Sequence, residues 1–141
     1  MKILLAVDGS AYTKHMLAYL ATHETLYGSQ NQFTLLTVQA PLPSRARAAL
    51  GKDVVDTYIR EEGEKVLSPI SKFLLRHGIV AKSVAKVGSA GELIAKTAES
   101  GKFDMVIMGS HGHSAMGNLV MGSVATQVLA HCKVPVLLVR G

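Results

Sequence analysis

At 141 residues, 48% hydrophobic and 18% charged, the chain has the size and apolar content of one folded domain spanning residues 1–141, too short for two full enzyme domains. No run approaches the roughly 18–20 apolar residues of a membrane span, and Met1-Lys2-Ile3 leads straight into patterned sequence without a signal-peptide layout, so a cytoplasmic protein with no membrane partner is expected. Fifteen Lys and Arg against ten Asp and Glu give a net charge of +5, which suits an anionic partner; but the charges of residues 41–103 are interleaved and Trp is absent, which argues against nucleic acid.

Residues 2–8 (Lys-Ile-Leu-Leu-Ala-Val-Asp) form a short apolar run halted by Gly9-Ser10, the pattern of a buried strand entering a turn. From Tyr12 to Tyr27, Tyr12, Met16, Tyr19, Leu20 and Leu26 recur at helical spacing, with Ser10 placed as N-cap and Gly28 as stop. Residues 33–39 read as a second strand. Residues 40–51 carry two prolines and two arginines without periodicity and read as a loop. The spacing of Val55, Tyr58, Ile59, Val66, Ile70, Phe73 and Leu74 predicts a long helix from Lys52 to His77, with Pro69 as a kink or solvent-side break. A strand over residues 79–87 built on Ile79, Val80, Val84 and Val87 precedes a helix over Ala90–Ser100. A strand over Phe103–Met108, a helix over Leu119–His131 and a strand over Val134–Val139 complete the order.

Nearly continuous apolar strands alternating with helices define the α/β class: a doubly wound, Rossmann-like, five-stranded parallel sheet with helices on both faces. Ligands of such sheets bind beyond the carboxyl ends of the strands, where strand order reverses. Small residues concentrate at those ends, in Asp8-Gly9-Ser10, Gly88-Ser89 and Gly109-Ser110. The segment from Gly109 to Ser123 is rich in glycine, and no Asp or Glu follows Asp104. An anion there meets main-chain N–H groups, hydroxyls and a helix N-terminus, and phosphate is the natural guest. Glycine permits positive φ and close approach of phosphate oxygens to the main chain; on that ground Gly109→Val and Gly122→Val should abolish binding and spare the fold.

Other motifs fail on their letters. Neither Gly51-Lys52-Asp53 nor Gly101-Lys102-Phe103 completes a Walker A loop, and Asp8-Gly9-Ser10 stands where a dinucleotide fingerprint would begin. Gly112-His-Ser-Ala-Met-Gly117 is one residue too long for a nucleophile elbow and has no acid downstream. His111 and His113 form a His-x-His pair, with His131 or Cys132 as further conceivable ligands, but no second ligand cluster accompanies them, so a dedicated metal site is not expected. Cys132, the single cysteine, cannot form an internal disulfide.

The spacing Gly109-x2-Gly112-x9-Gly122-Ser123, after an apolar strand and before Val124-Ala-Thr-Gln-Val-Leu, resembles the ATP-binding motif of the universal stress protein family. The likeness extends to the opening Val7-Asp8-Gly9-Ser10, the Gly88 turn and the closing Lys133-Val-Pro-Val-Leu-Leu-Val139. It implies a stress-response binding or regulatory module for ATP or a related adenine nucleotide, with Mg²⁺ carried in on the phosphates. Adenine would rest near Ala6, Val7, Val38 and Met108, with the Val38 main chain reading its edge. Asp8 and Gly109 would hold the ribose, and Gly112, His113, Gly122, Ser123 and Val124 would surround the phosphates. His113 stands where many members carry Lys or Arg, which implies a modest, pH-sensitive affinity. Arg45 and Arg47 could fold over the phosphates from the long loop. The alternative is a slow ATPase or phosphotransferase acting on the bound nucleotide. The resemblance further implies a homodimer joined along Val134–Val139, an apolar edge that would otherwise lie open.

Overall fold

The computed structural model describes residues 1–24, 30–113 and 120–141. Its elements in chain order are β1 (Lys2–Ala6), α1 (Ala11–Thr22), β2 (Gln32–Gln39), α2 (Ser44–Leu50), α3 (Lys52–Arg76), β3 (Ala81–Val87), α4 (Ala90–Ser100), β4 (Met105–Gly109), α5 (Ser123–His131) and β5 (Val136–Val139). The strands form one parallel sheet in the order β3-β2-β1-β4-β5. This is the expected Rossmann-like α/β architecture.

The central strand explains the layering. Successive side chains of β1 point to opposite faces, and both faces are covered, so Ile3, Leu4 and Leu5 are all fully buried. Ile3, Leu5 and Val7 pack with Met16 and Leu20 of α1 and Leu67, Ile70 and Leu74 of α3. Leu4 and Ala6 pack on the other face with Ile94 and Ala98 of α4 and Ala125 and Val128 of α5. The chain moves outward from β1 through β2 to β3, then returns to β1's other side for β4 and β5. The order therefore reverses between β1 and β4, and their carboxyl ends flank a crevice.

Several boundaries differ from expectation. Residues 44–50 form α2 where a loop is expected; none of its residues is buried, so no apolar periodicity announces it. Helix α5 begins at Ser123, because Gly122 takes extended dihedrals as its N-cap; the expected first residue, Leu119, lies outside the described residues, as do Leu26, Tyr27 and Gly28 at the end of the first predicted helix. Helix α3 runs unbroken through Pro69, which lies on its exposed side. Tyr58, expected on the apolar stripe, is 45% exposed, whereas Gly63 and Leu67 are buried. Strand β3 starts at Ala81; Val80 is 80% exposed while Ile79 fills the core. Strand β4 spans Met105–Gly109, and β5 starts two residues later than expected, at Val136.

Candidate functional site

The carboxyl ends of β1, β2, β3 and β4, with the N-terminal turns of α4 and α5, enclose a cavity of about 720 Å³. Ala6, Val7, Asp8, Val38, Met108, Gly109, Gly112, His113, Gly122, Ser123 and Val124 all line it, so the sequence-predicted residues come together on one wall system. Ser89, at one of the strand ends expected to face a ligand, lines it too, as do Thr13, Leu36, Ala40, Ile94 and His111, for which the sequence carries no signal of such a site. The apolar part is a slot between Ala6, Leu36, Val38, Ile94 and Met108.

At the rim of that slot β2 outruns its neighbour. Leu36 O accepts from Val7 N–H at 2.9 Å on the β1 side, and Gln39 O accepts from Gly88 N–H at 2.8 Å on the β3 side. Main-chain groups alternate sides along a strand, so Val38 directs its N–H and C=O to the β1 side. Strand β1 has ended there, and no main-chain group among the described residues bonds to Val38 on that side. One donor and one acceptor thus edge an apolar slot, a layout suited to a flat heteroaromatic ring.

The polar part is built from β1's end and the loop after β4. Asp8 Oδ1 accepts from Ser10 N–H and from the Thr13 hydroxyl, both at 2.9 Å. Across the loop, His113 Nε2 lies 2.6 Å from Asp8 O; the carbonyl can only accept, so Nε2 carries the proton. The His111 ring lies 4.6 Å from that of Tyr12, and its Nδ1 pairs with Ser110 Oγ at 2.8 Å. Gly122 N–H donates to Ser110 O at 2.7 Å, which docks the start of α5 beside β4. Gly122 has no side chain to cap α5, and Ser123 and Val124 follow at the cavity wall. Their N–H groups belong to the first turn, where a helix supplies no acceptor and its dipole favours an anion. Helix α4 likewise starts at the cavity, behind Ser89, without a side-chain cap.

The glycines serve a purpose beyond the one expected. None of Gly109, Gly112 and Gly122 has positive φ. A Cβ on Gly109 would lie 2.7 Å from Tyr12 Cβ and 3.2 Å from its carbonyl carbon; on Gly122, 3.1 Å from His111 Cα; on Gly112, 2.7 Å from Asp8 Oδ2. These glycines let protein approach protein, and Gly109→Val strikes helix α1, so the expectation that this substitution spares the fold does not hold. The acid-free loop also meets one carboxylate, because Asp8 reaches it from β1. Among the described residues no Lys or Arg lines the cavity. Arg45 and Arg47 belong to α2, not to a loop, and Arg47 lines a separate groove with Pro41, Lys52 and Val87. His131 and Cys132 lie at the far end of α5, and among the described residues no three His, Cys, Asp or Glu side chains converge as a metal site.

The sequence profile of the universal stress protein family matches residues 1–140. The chain belongs to the universal stress protein family. It is 30% identical over 141 residues to a Thermus aquaticus universal stress protein, covering 98% of this chain and 97% of the relative. It is 32% identical over 139 residues to universal stress protein Slr1230 of Synechocystis, covering 99% of this chain but only 42% of that longer protein. Among solved structures, MJ0577 of Methanocaldococcus jannaschii superposes with a TM-score of 0.83 at 29% identity, over 99% of this chain and 95% of that one. Two more distant neighbours share the fold. An Arabidopsis thaliana universal stress protein family member, with AMP bound, has a TM-score of 0.71 at 16% identity, over 99% of this chain and 91% of that one. A universal stress protein in complex with cAMP has a TM-score of 0.69 at 21% identity, over 99% and 96%. In this universal stress protein, as in the fold class at large, the crevice sits where strand order reverses.

Proposed function

We propose that this universal stress protein is a binding module for ATP or a related adenine nucleotide, with Mg²⁺ accompanying the phosphates, and that occupancy biases a partner or its own assembly in a stress response. The observation that carries the reading is the meeting, in one cavity, of an apolar slot edged by the Val38 main chain with the uncapped start of α5. The slot suits adenine and the helix start suits phosphate, with Asp8 between them as acceptor for sugar hydroxyls. That fold neighbours carry AMP or cAMP supports the same ligand class. Isothermal titration with Mg-ATP, ADP, AMP and cAMP tests it. Saturable binding of at least one is expected, and no heat from any of them at millimolar concentration overturns the reading.

The same geometry favours binding over rapid hydrolysis. Transfer of a phosphoryl group needs fixed cations and a group that orients the nucleophile. Here no Lys or Arg among the described residues lines the cavity, and Asp8 Oδ1 already accepts two hydrogen bonds. In single-turnover experiments nucleotide should dissociate before phosphate is released; the reverse order would instead support the slow ATPase or phosphotransferase.

A further inference from the structure

Thr13 is the third residue of α1 and is 4% exposed. Its own N–H donates to the N-cap Ser10 Oγ at 3.4 Å, the usual arrangement at a helix start. Its hydroxyl does something separate: Oγ1 accepts from Asp8 N–H at 3.1 Å and donates to Asp8 Oδ1 at 2.9 Å. Thr13 therefore grips both the main chain and the carboxylate of Asp8. Ser10 N–H adds a second donor to the same Oδ1. Among the described residues no donor reaches Oδ2, which faces Gly112, where a Cβ would lie only 2.7 Å away. Turning the carboxylate about its Cβ–Cγ bond would break both hydrogen bonds at Oδ1 at once.

We propose that Thr13 is a positioning residue: it locks the Asp8 carboxylate so that Oδ2 is the open acceptor at the cavity, and by doing so sets the preference for a ligand with ribose hydroxyls over one without them. This rests on the nucleotide reading of the cavity. A hydroxyl donor to a fixed, ionised acceptor contributes more than one to an acceptor that can swing away, because the fixed acceptor has no orientations left to lose.

The probes are ATP and 2′,3′-dideoxyATP, titrated into the wild-type protein and into Thr13→Val, Thr13→Ala and Thr13→Ser. Hydrogen bonds to a charged group translate into roughly 10- to 100-fold in affinity, so the wild type should prefer ATP by about that factor. In Thr13→Val the preference should shrink at least about 5-fold, with dideoxyATP affinity held within about 2-fold; Thr13→Ser should restore it. A purely structural role would weaken both ligands together and leave their ratio alone. If the valine variant does not fold, the alanine variant must show the same fall in ratio. An unchanged ratio in the folded variants overturns the proposal, as does a wild type that binds both ligands equally. A wild type that binds neither ligand sinks the nucleotide reading and the ribose preference with it. The lock is then read alone by amide hydrogen exchange in ligand-free protein: Asp8 N–H should exchange at least about 10-fold faster in Thr13→Val and near the wild-type rate in Thr13→Ser. Equal protection of Asp8 in Thr13→Val overturns the lock.

Discussion

A methyl group added at Gly109 meets the Cβ and carbonyl of Tyr12, both fixed within α1, whereas one added at Gly112 meets the Asp8 carboxylate. The two substitutions should separate stability from binding. Gly109→Ala is expected to cost about 1–3 kcal/mol, the usual range for overpacking a tight contact, and to be read as a lower urea midpoint. Gly112→Ala pushes on Oδ2 and should weaken adenine-nucleotide binding severalfold in calorimetry, with a much smaller change in midpoint. A Gly112→Ala protein that binds as tightly as wild type would remove Asp8 Oδ2 from the site. The spacing of Gly109, Gly112 and Gly122 is legible in sequence; the reason for it is not, since the atoms each glycine accommodates belong to Tyr12, Asp8 and the loop's own main chain. Thr13 escapes for a related reason. A threonine at the third position of a capped helix is unremarkable until the chain is seen to fold it back onto Asp8.

At the level of elements, the strands are easily read because β1 and β4 are buried on both faces and stay apolar at nearly every position. The second helix is missed because periodicity requires a buried face and α2 has none, although Arg, Ala and Leu are good helix formers. The Ser10 cap of α1 is read correctly; Ser10→Ala should lower stability by about 1 kcal/mol in thermal unfolding. Pro69 gives the opposite prediction. It lies inside α3 on the exposed side and supplies no N–H to the helix. Pro69→Ala restores a donor at a site with room for it and should raise stability by about 1–3 kcal/mol, as a higher urea midpoint with an unchanged slope. A lower midpoint would mean that the ring packs in a way alanine cannot replace.

For the molecule as a whole, ligand and assembly should show in the unfolding transition and the mass. A nucleotide that binds only the folded chain adds about 2.7 kcal/mol at a hundred times its dissociation constant, or about 8 °C in melting temperature for a chain of this size. Heating scans with and without Mg-ATP check this. At the sheet's outer edge, Val136, Leu137 and Leu138 of β5 are only partly buried, and we propose that a second copy covers them. Sedimentation equilibrium at micromolar concentration should then give twice the 15.0 kDa of one chain, and a single-chain mass would refute the pairing.

Strand β1 lies at the centre of the sheet, yet its partner β4 comes about a hundred residues later in the chain. In a chain that had formed only β3-β2-β1, the flank of β1 that carries Leu4 and Leu5 would have nothing to pair until β4 followed. Met108 and Gly109 of β4 form one wall of the crevice, so the nucleotide we propose for it would find its site only once β4 has paired.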